Sequence, residues 1–128
     1  MKKLLLPLLL LLLVTPAFAQ SFKISYVDSN NETTYDQLAD GLGKSVQLTF
    51  YDKSVTLSMP SSEGAFNIPK VSENYYSRVH TNSTGTITFR LTLIKTFGVI
   101  SSIEVHKTYK DNKNSSKDGW LKVTAKRF

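Results

Sequence analysis

Six side chains in the second half of the chain have the types and spacing for chemistry. Tyr76, Arg78 and His80 recur at every second position, Arg90 stands apart, and Glu104 and His106 lie two residues from each other. Alternate residues of a strand share one face, so each set presents its polar groups together. Two arginines on such a face can hold a carboxylate or a phosphate, and a tyrosine beside them can stack or donate a hydrogen bond. Glu104 with His106 could serve as an acid and a base.

Whether these groups converge depends on three segments, "ENYYSRVH", "GTITFRLTLI" and "VISSIEVHKTY", joined by the turns "TNSTG" and "KTFG". In the middle segment Ile87, Phe89 and Leu91 take one side while Thr86, Thr88 and Arg90 take the other. Pairing Val79 with Ile87 and Ile94 with Ile100 keeps most apolar residues on one face. The predicted polar face then sets Arg90 between Tyr76 and Glu104, Thr88 between Arg78 and His106, and Thr86 between His80 and Thr108. Tyr76, Arg78, Arg90, Glu104 and His106 are therefore the candidate ligand-binding residues, at the polar end of a cleft or barrel mouth. The alternative is an ordinary solvated sheet face carrying an Arg90–Glu104 ion pair.

The same register argues against a metal. His80 and His106 fall on strands either side of the central one, about 10 Å apart laterally, too far to share an ion. The sequence also lacks a phosphate-binding glycine loop, a nucleophile elbow and a zincin helix. The expectation is a non-catalytic protein with no metal and no cofactor.

The remaining elements must build the frame. "FKISYV" alternates as a first strand with Phe22, Ile24 and Tyr26 on one side. "TYDQLADGLG" has helical spacing, with Thr34 and Gln37 placed as a capping box. Val46, Leu48 and Phe50 match Val55, Leu57 and Met59 across "YDKS", with Phe50 opposite Val55 and Leu48 opposite Leu57. Asp52-Lys53 then forms a tight turn with positive φ at Lys53, or a slightly longer loop. Residues 65–68 suit a brief edge strand before Pro69. "KDNKNSSKDG" reads as a flexible hairpin tip, and "WLKVTAKRF" is the last strand, with Trp120 a core or rim residue. Seven or eight short strands and one helix predict an all-β domain, a small antiparallel meander closing into a barrel, with a compact sandwich as the alternative.

The opening "MKKLLLPLLLLLLVTPAFAQ" has two lysines, an apolar run and small residues at Ala17 and Ala19, the pattern of a secretory signal peptide. It divides the chain into a leader over residues 1–19 and a single β domain over 20–128, placed in the periplasm or outside the cell. Residues 8–14, the uninterrupted apolar stretch, fall well short of the roughly 20 needed for a helical span. No cysteine occurs, so packing and hydrogen bonds must supply the stability.

The net charge of +6 is unevenly spread: residues 20–69 hold three lysines against six acids, and residues 70–128 hold eleven basic against four acidic side chains. Such a basic half suits a polyanion, an anionic lipid surface or an acidic partner. It lacks the dense basic stripe and the recognisable module of a specific nucleic-acid binder, although the lysines near Trp120 could touch phosphates beside a stacked ring. A lipid-facing barrel is disfavoured too, because Trp120 shares its side of the last strand with Lys122, Thr124 and Lys126. Asn31, Asn82 and Asn114 each begin an N-x-[ST] tripeptide, at a frequency close to chance. The expected function is an exported, non-catalytic binding domain that holds a small apolar or amphipathic ligand in its barrel. The alternative is a protein-interaction or envelope-polymer-binding module that uses the basic half.

Overall fold

A computed structural model describes residues 18–59 and 65–127. They form β1 (Phe18–Ser29), α1 (Glu32–Ala39), β2 (Ser45–Phe50), β3 (Ser54–Ser58), β4 (Ala65–Ser72), β5 (Tyr75–Thr81), β6 (Gly85–Thr96), β7 (Val99–Asp111) and β8 (Gly119–Arg127). Each strand pairs antiparallel with the next, and β8 returns to β1, so the meander closes into an eight-stranded barrel. Closure confines unpaired strand edges to the stretch where β4 and β5 separate, which limits the association a β-prone sequence otherwise risks. The connections sort into two ends. The helix end carries α1 and the β5–β6 and β7–β8 loops; the hairpin end carries the tight β2–β3, β4–β5 and β6–β7 turns. The expected leader lies outside the described residues except for Phe18 and Ala19, which open β1 opposite Phe50 and Thr49. Cleavage after Ala19 would remove those two pairs and keep the ladder from Gln20 onward.

Inward-facing side chains fill the barrel. Phe22, Leu48, Leu57, Ile68, Leu91 and Ile103 come from six different strands and are fully buried. Burying a side chain of this size stabilises by about 1.5–3 kcal/mol. The β2–β3 hairpin has the expected register, Phe50 opposite Val55 and Leu48 opposite Leu57. Its turn is tight, since the Tyr51 amide donates to the Ser54 carbonyl at 2.9 Å, but neither Asp52 nor Lys53 has positive φ. The strain expected at Lys53 is therefore absent.

Three local departures from the sequence reading have physical causes. β1 contains a bulge between Ile24 and Tyr26 that adds one residue to the ladder. Val27 consequently turns into the core, and Tyr26, expected inside, is 50% exposed on the outer wall. The helix begins earlier than the Thr34–Gln37 box implies, because the Asn31 side chain caps it by accepting from the Thr34 amide at 2.9 Å. β4 runs through Pro69 to Ser72. The Lys70 amide donates toward β3, to Lys53 at 2.8 Å, so the preceding residue directs its absent N–H toward β5. The β4–β5 ladder holds only two pairs, starting at Lys70, so no bond is lost there.

Polar side chains tie the helix-end loops together. Asn82 Oδ1 accepts from the amides of Thr84 and Gly85, and Asn114 Oδ1 from the Ser116 amide. With Asn31, all three N-x-[ST] asparagines thus cap local backbone, and the Thr84 and Ser116 hydroxyls also donate to Asn82 and Asn114. The β7–β8 connection, expected to be a flexible tip, contains a 3₁₀ turn over Ser115–Lys117 and is hydrogen-bonded to Asp111 and Asp118. No helix among the described residues is long and apolar enough to cross a membrane.

Candidate functional site

The register of β5–β8 decides which candidate residues meet. His80, not Val79, opposes Ile87, so β5 is displaced by one residue from the predicted pairing. A one-residue slip turns every side chain to the other face. Tyr76 therefore enters the core beside Leu91, 4% exposed, and burial raises its hydroxyl pKa. Arg78 and His80 follow it to the inward side. The slip exchanges Val79, which is 61% exposed where β4 and β5 diverge, for the larger tyrosine in the core. Between β6 and β7 the displacement is two residues, with a bulge at Ile94/Lys95: Ile100 opposes Lys95, and Arg90 opposes His106. Two residues preserve the face, so Arg90, Glu104 and His106 do share one surface.

The five candidates thus divide between the two sides of the sheet. Arg90, His106 and Glu104 lie on the outer wall, Arg78 faces inward at the helix end, and Tyr76 is a core residue. The anticipated Arg90–Glu104 pair is replaced by Lys122–Glu104 at 3.6 Å, with both side chains 39% exposed. A pair so open to solvent adds little stability. His80 and His106 sit on opposite faces. Among the described residues no three His, Asp or Glu side chains cluster as a metal would need.

The outer wall has an order. Ser77, Arg90, His106, Lys122 and Asp28 form one lateral row across β5, β6, β7, β8 and β1. Tyr26 lies in the outward row on one side of it and Trp120 in the outward row on the other, two rows apart, about 13 Å along the strands. Tyr26, Asp28, His106, Thr108, Trp120 and Lys122 line a shallow recess of about 500 Å³. Trp120 is 37% exposed and meets the His106 ring edge-on at 6.3 Å. Its backbone is clamped, with its amide donating to Asn30 Oδ1 and its carbonyl accepting from Ser29 Oγ, each at 2.8 Å. The Tyr26 hydroxyl donates to Asp28 at 3.2 Å, and that carboxylate raises its pKa. The surface therefore offers two aromatic rings with Lys122, the His106 imidazole and the Asp28 carboxylate between them.

Sequence reasoning missed Tyr26, and gave Trp120 as a core or rim residue that could also stack beside lysines. Tyr26 depends on the β1 bulge, for which the alternation of "FKISYV" carries no signal. Trp120 was legible, because it keeps step with Lys122, Thr124 and Lys126 on the polar side of β8.

The inward row holds Arg78, Phe89, Lys107 and Leu121. Phe66 stacks on Phe89 with centroids 5.2 Å apart, Lys107 Nζ stands 5.3 Å from the Phe89 centroid, and Arg78 Nη1 donates to the Asn67 carbonyl at 3.2 Å. Two recesses of about 190 and 160 Å³ flank α1 at this end. Each is smaller than the 300–1,000 Å³ usual for a drug-sized ligand. Below them the core side chains pack the barrel.

Fold and site together define a class, a closed eight-stranded barrel with a packed core, whose chemistry-bearing side chains lie on its outer wall and around its helix end. Comparison with protein-family models, with curated proteins and with solved structures finds no match.

Proposed function

We propose that this protein is an exported, non-catalytic binding module whose outer wall holds an acidic envelope polymer. The observation that carries the reading is the recess in which His106 and Lys122 lie between the rows of Tyr26 and Trp120, with Arg90 beside His106 on the next strand. Aromatic faces bind the apolar side of a ring, and cations between them match carboxylates or phosphates along a chain. The separation of the two rings suits several linked units rather than one. Bulges recur where a sheet must re-aim a side chain, and the β1 bulge turns Tyr26 onto this wall. A solid core suits a scaffold that works through its surface.

Affinity electrophoresis through gels containing alginate, a polyuronate, or dextran, a neutral glucan, tests the reading. Alginate should retard the protein and dextran should not. Trp120→Ala and Arg90→Ala should each weaken retention about tenfold, as expected for a central aromatic or arginine anchor. Equal retention of the parent and a Tyr26→Ala/Trp120→Ala double variant would sink the reading.

A second reading rests on Lys107 above the Phe89 ring, stacked in turn on Phe66. Small amphipathic anions would place a short apolar portion in the recesses beside α1 and the charge on Lys107 and Arg78. Displacement of a fluorescent fatty-acid probe separates the two sites. Here Lys107→Ala should weaken probe binding and Trp120→Ala should not; the reverse order would remove this reading.

A further inference from the structure

The hairpin end carries a feature that neither binding reading uses. Phe97 and Gly98 form the two-residue turn between β6 and β7, with φ of +53° and +76°. Positive φ at both central positions is the mark of a type I′ turn, which asparagine or aspartate followed by glycine adopts without strain. A bulky aromatic in the left-handed region is an outlier and costs free energy. Burial returns nothing, because Phe97 is 100% exposed. It is the one non-glycine residue with positive φ among those described. A side chain that strains its backbone without packing on the fold points to a contact outside the chain.

The surroundings say what kind of contact. Pairing to β5 ends with Leu93, whose amide donates to Asn74, and pairing to β8 ends at Ser102. Residues 94–101 therefore project beyond both neighbouring ladders. Ile94 and Val99 flank the tip at 40% and 48% exposure, and Val71 is exposed on the adjoining end of β4. Glu73 of the β4–β5 turn lies 3.8 Å from Lys95 of the hairpin. Around this apolar tip the described residues of the hairpin end include the basic side chains Lys53, Lys70, Lys95, Lys126 and Arg127 and the acids Asp52 and Glu73.

We propose that the hairpin end docks on an anionic lipid surface, with Phe97 inserted among the acyl chains and the basic ring against the headgroups. Apolar insertion and electrostatic attraction to anionic lipid add in such peripheral contacts, and neither alone holds a protein firmly. The face is at the opposite end of the barrel from α1, so docking leaves the helix end free.

Co-sedimentation of the protein, obtained by expressing and exporting the full chain, with vesicles of phosphatidylcholine or of phosphatidylcholine containing phosphatidylglycerol tests this. Binding should require phosphatidylglycerol and fall as salt screens the charges. Phe97→Asn should weaken it at least tenfold, the loss of one inserted aromatic. Asparagine tolerates left-handed φ, so this variant should melt no lower than the parent, and its lost binding is not a folding defect. Phe97→Trp in a Trp120→Phe background should retain binding, with emission shifting to the blue on the charged vesicles. Retained binding by Phe97→Asn, or an unshifted Phe97→Trp spectrum, overturns the proposal. Indifference of the parent protein to both vesicles also overturns it and leaves a protein surface as the occupant.

Discussion

The two ends of this barrel treat exposed backbone in opposite ways. At the helix end Asn31, Asn82, Asp111, Asn114 and Asp118 each lend a side-chain oxygen to loop amides, and long connections become ordered. At the hairpin end the β6–β7 turn has only two residues, and it forces Phe97 into a conformation it disfavours. One end devotes its polar residues to its own stability. The other leaves apolar and basic groups facing outward with little benefit to the fold. The contrast separates residues that build this molecule from residues free to meet another one.

The largest expected effect lies at the helix end. A Cβ added to Gly85 would stand 2.5 Å from the Lys110 carbonyl oxygen and 2.7 Å from the Tyr109 ring. Tyr109 covers this glycine across the ladder, and the backbone oxygen has little room to retreat. Gly85→Ala should lower unfolding stability by about 1–3 kcal/mol, measured by urea denaturation. A variant as stable as the parent would show that this end is looser than its hydrogen bonds imply.

A smaller pair of effects should carry opposite signs. Asn82→Ala removes the acceptor for the Thr84 and Gly85 amides and should cost about 1 kcal/mol. Phe97→Asn relieves the positive-φ strain and should gain about 1 kcal/mol. Melting temperatures of the two variants should move apart. Movement in the same direction would remove the distinction between a stabilised end and a strained one.

The same contrast explains what was legible in the sequence. Two-residue alternation with matched apolar runs is enough for a barrel, and the β2–β3 register follows from it because Phe50, Leu48, Val55 and Leu57 permit a single good pairing. "ENYYSRVH" offers two, one burying Tyr75 and Val79 and the other Tyr76. Only the barrel's closure, with β4 leaving β5 beyond Lys70, makes Val79 the exposed alternative. Bulges at Ile24/Tyr26 and Ile94/Lys95 each insert a residue without a compositional mark. The common face of Arg90, Glu104 and His106 was therefore legible, because it survives a two-residue displacement. The face of Tyr76 and Arg78 was not, because their strand slipped by one.

The smallest effect concerns protons at the helix end. Asp111 Oδ1 accepts from the amides of Lys113 and Asn114, each at 3.0 Å, and Oδ2 accepts from the Tyr109 hydroxyl at 2.8 Å. The Lys113 amide, then the tyrosine and the Asn114 amide, hold the carboxyl below its usual range. Donation to that carboxylate is in turn the main cause raising the Tyr109 pKa. A depressed carboxyl stabilises the fold above its unfolded value, about 3.9, and that contribution disappears as the pH falls through the lower folded value. A raised tyrosine acts in the other sense, stabilising below about 10 and ceasing to do so as the pH rises through its folded value. The β7–β8 loop should accordingly be tied throughout roughly pH 4 to pH 10, and loosen only as the pH falls through the lowered Asp111 value or rises through the raised Tyr109 value. Amide proton shifts of Lys113 and Asn114, followed by NMR, should show a step on the acid side that Asp111→Asn abolishes. A step persisting in Asp111→Asn would assign the titration to another carboxyl. The loop's order would then rest on Asn114 and Asp118 in place of the Asp111 network.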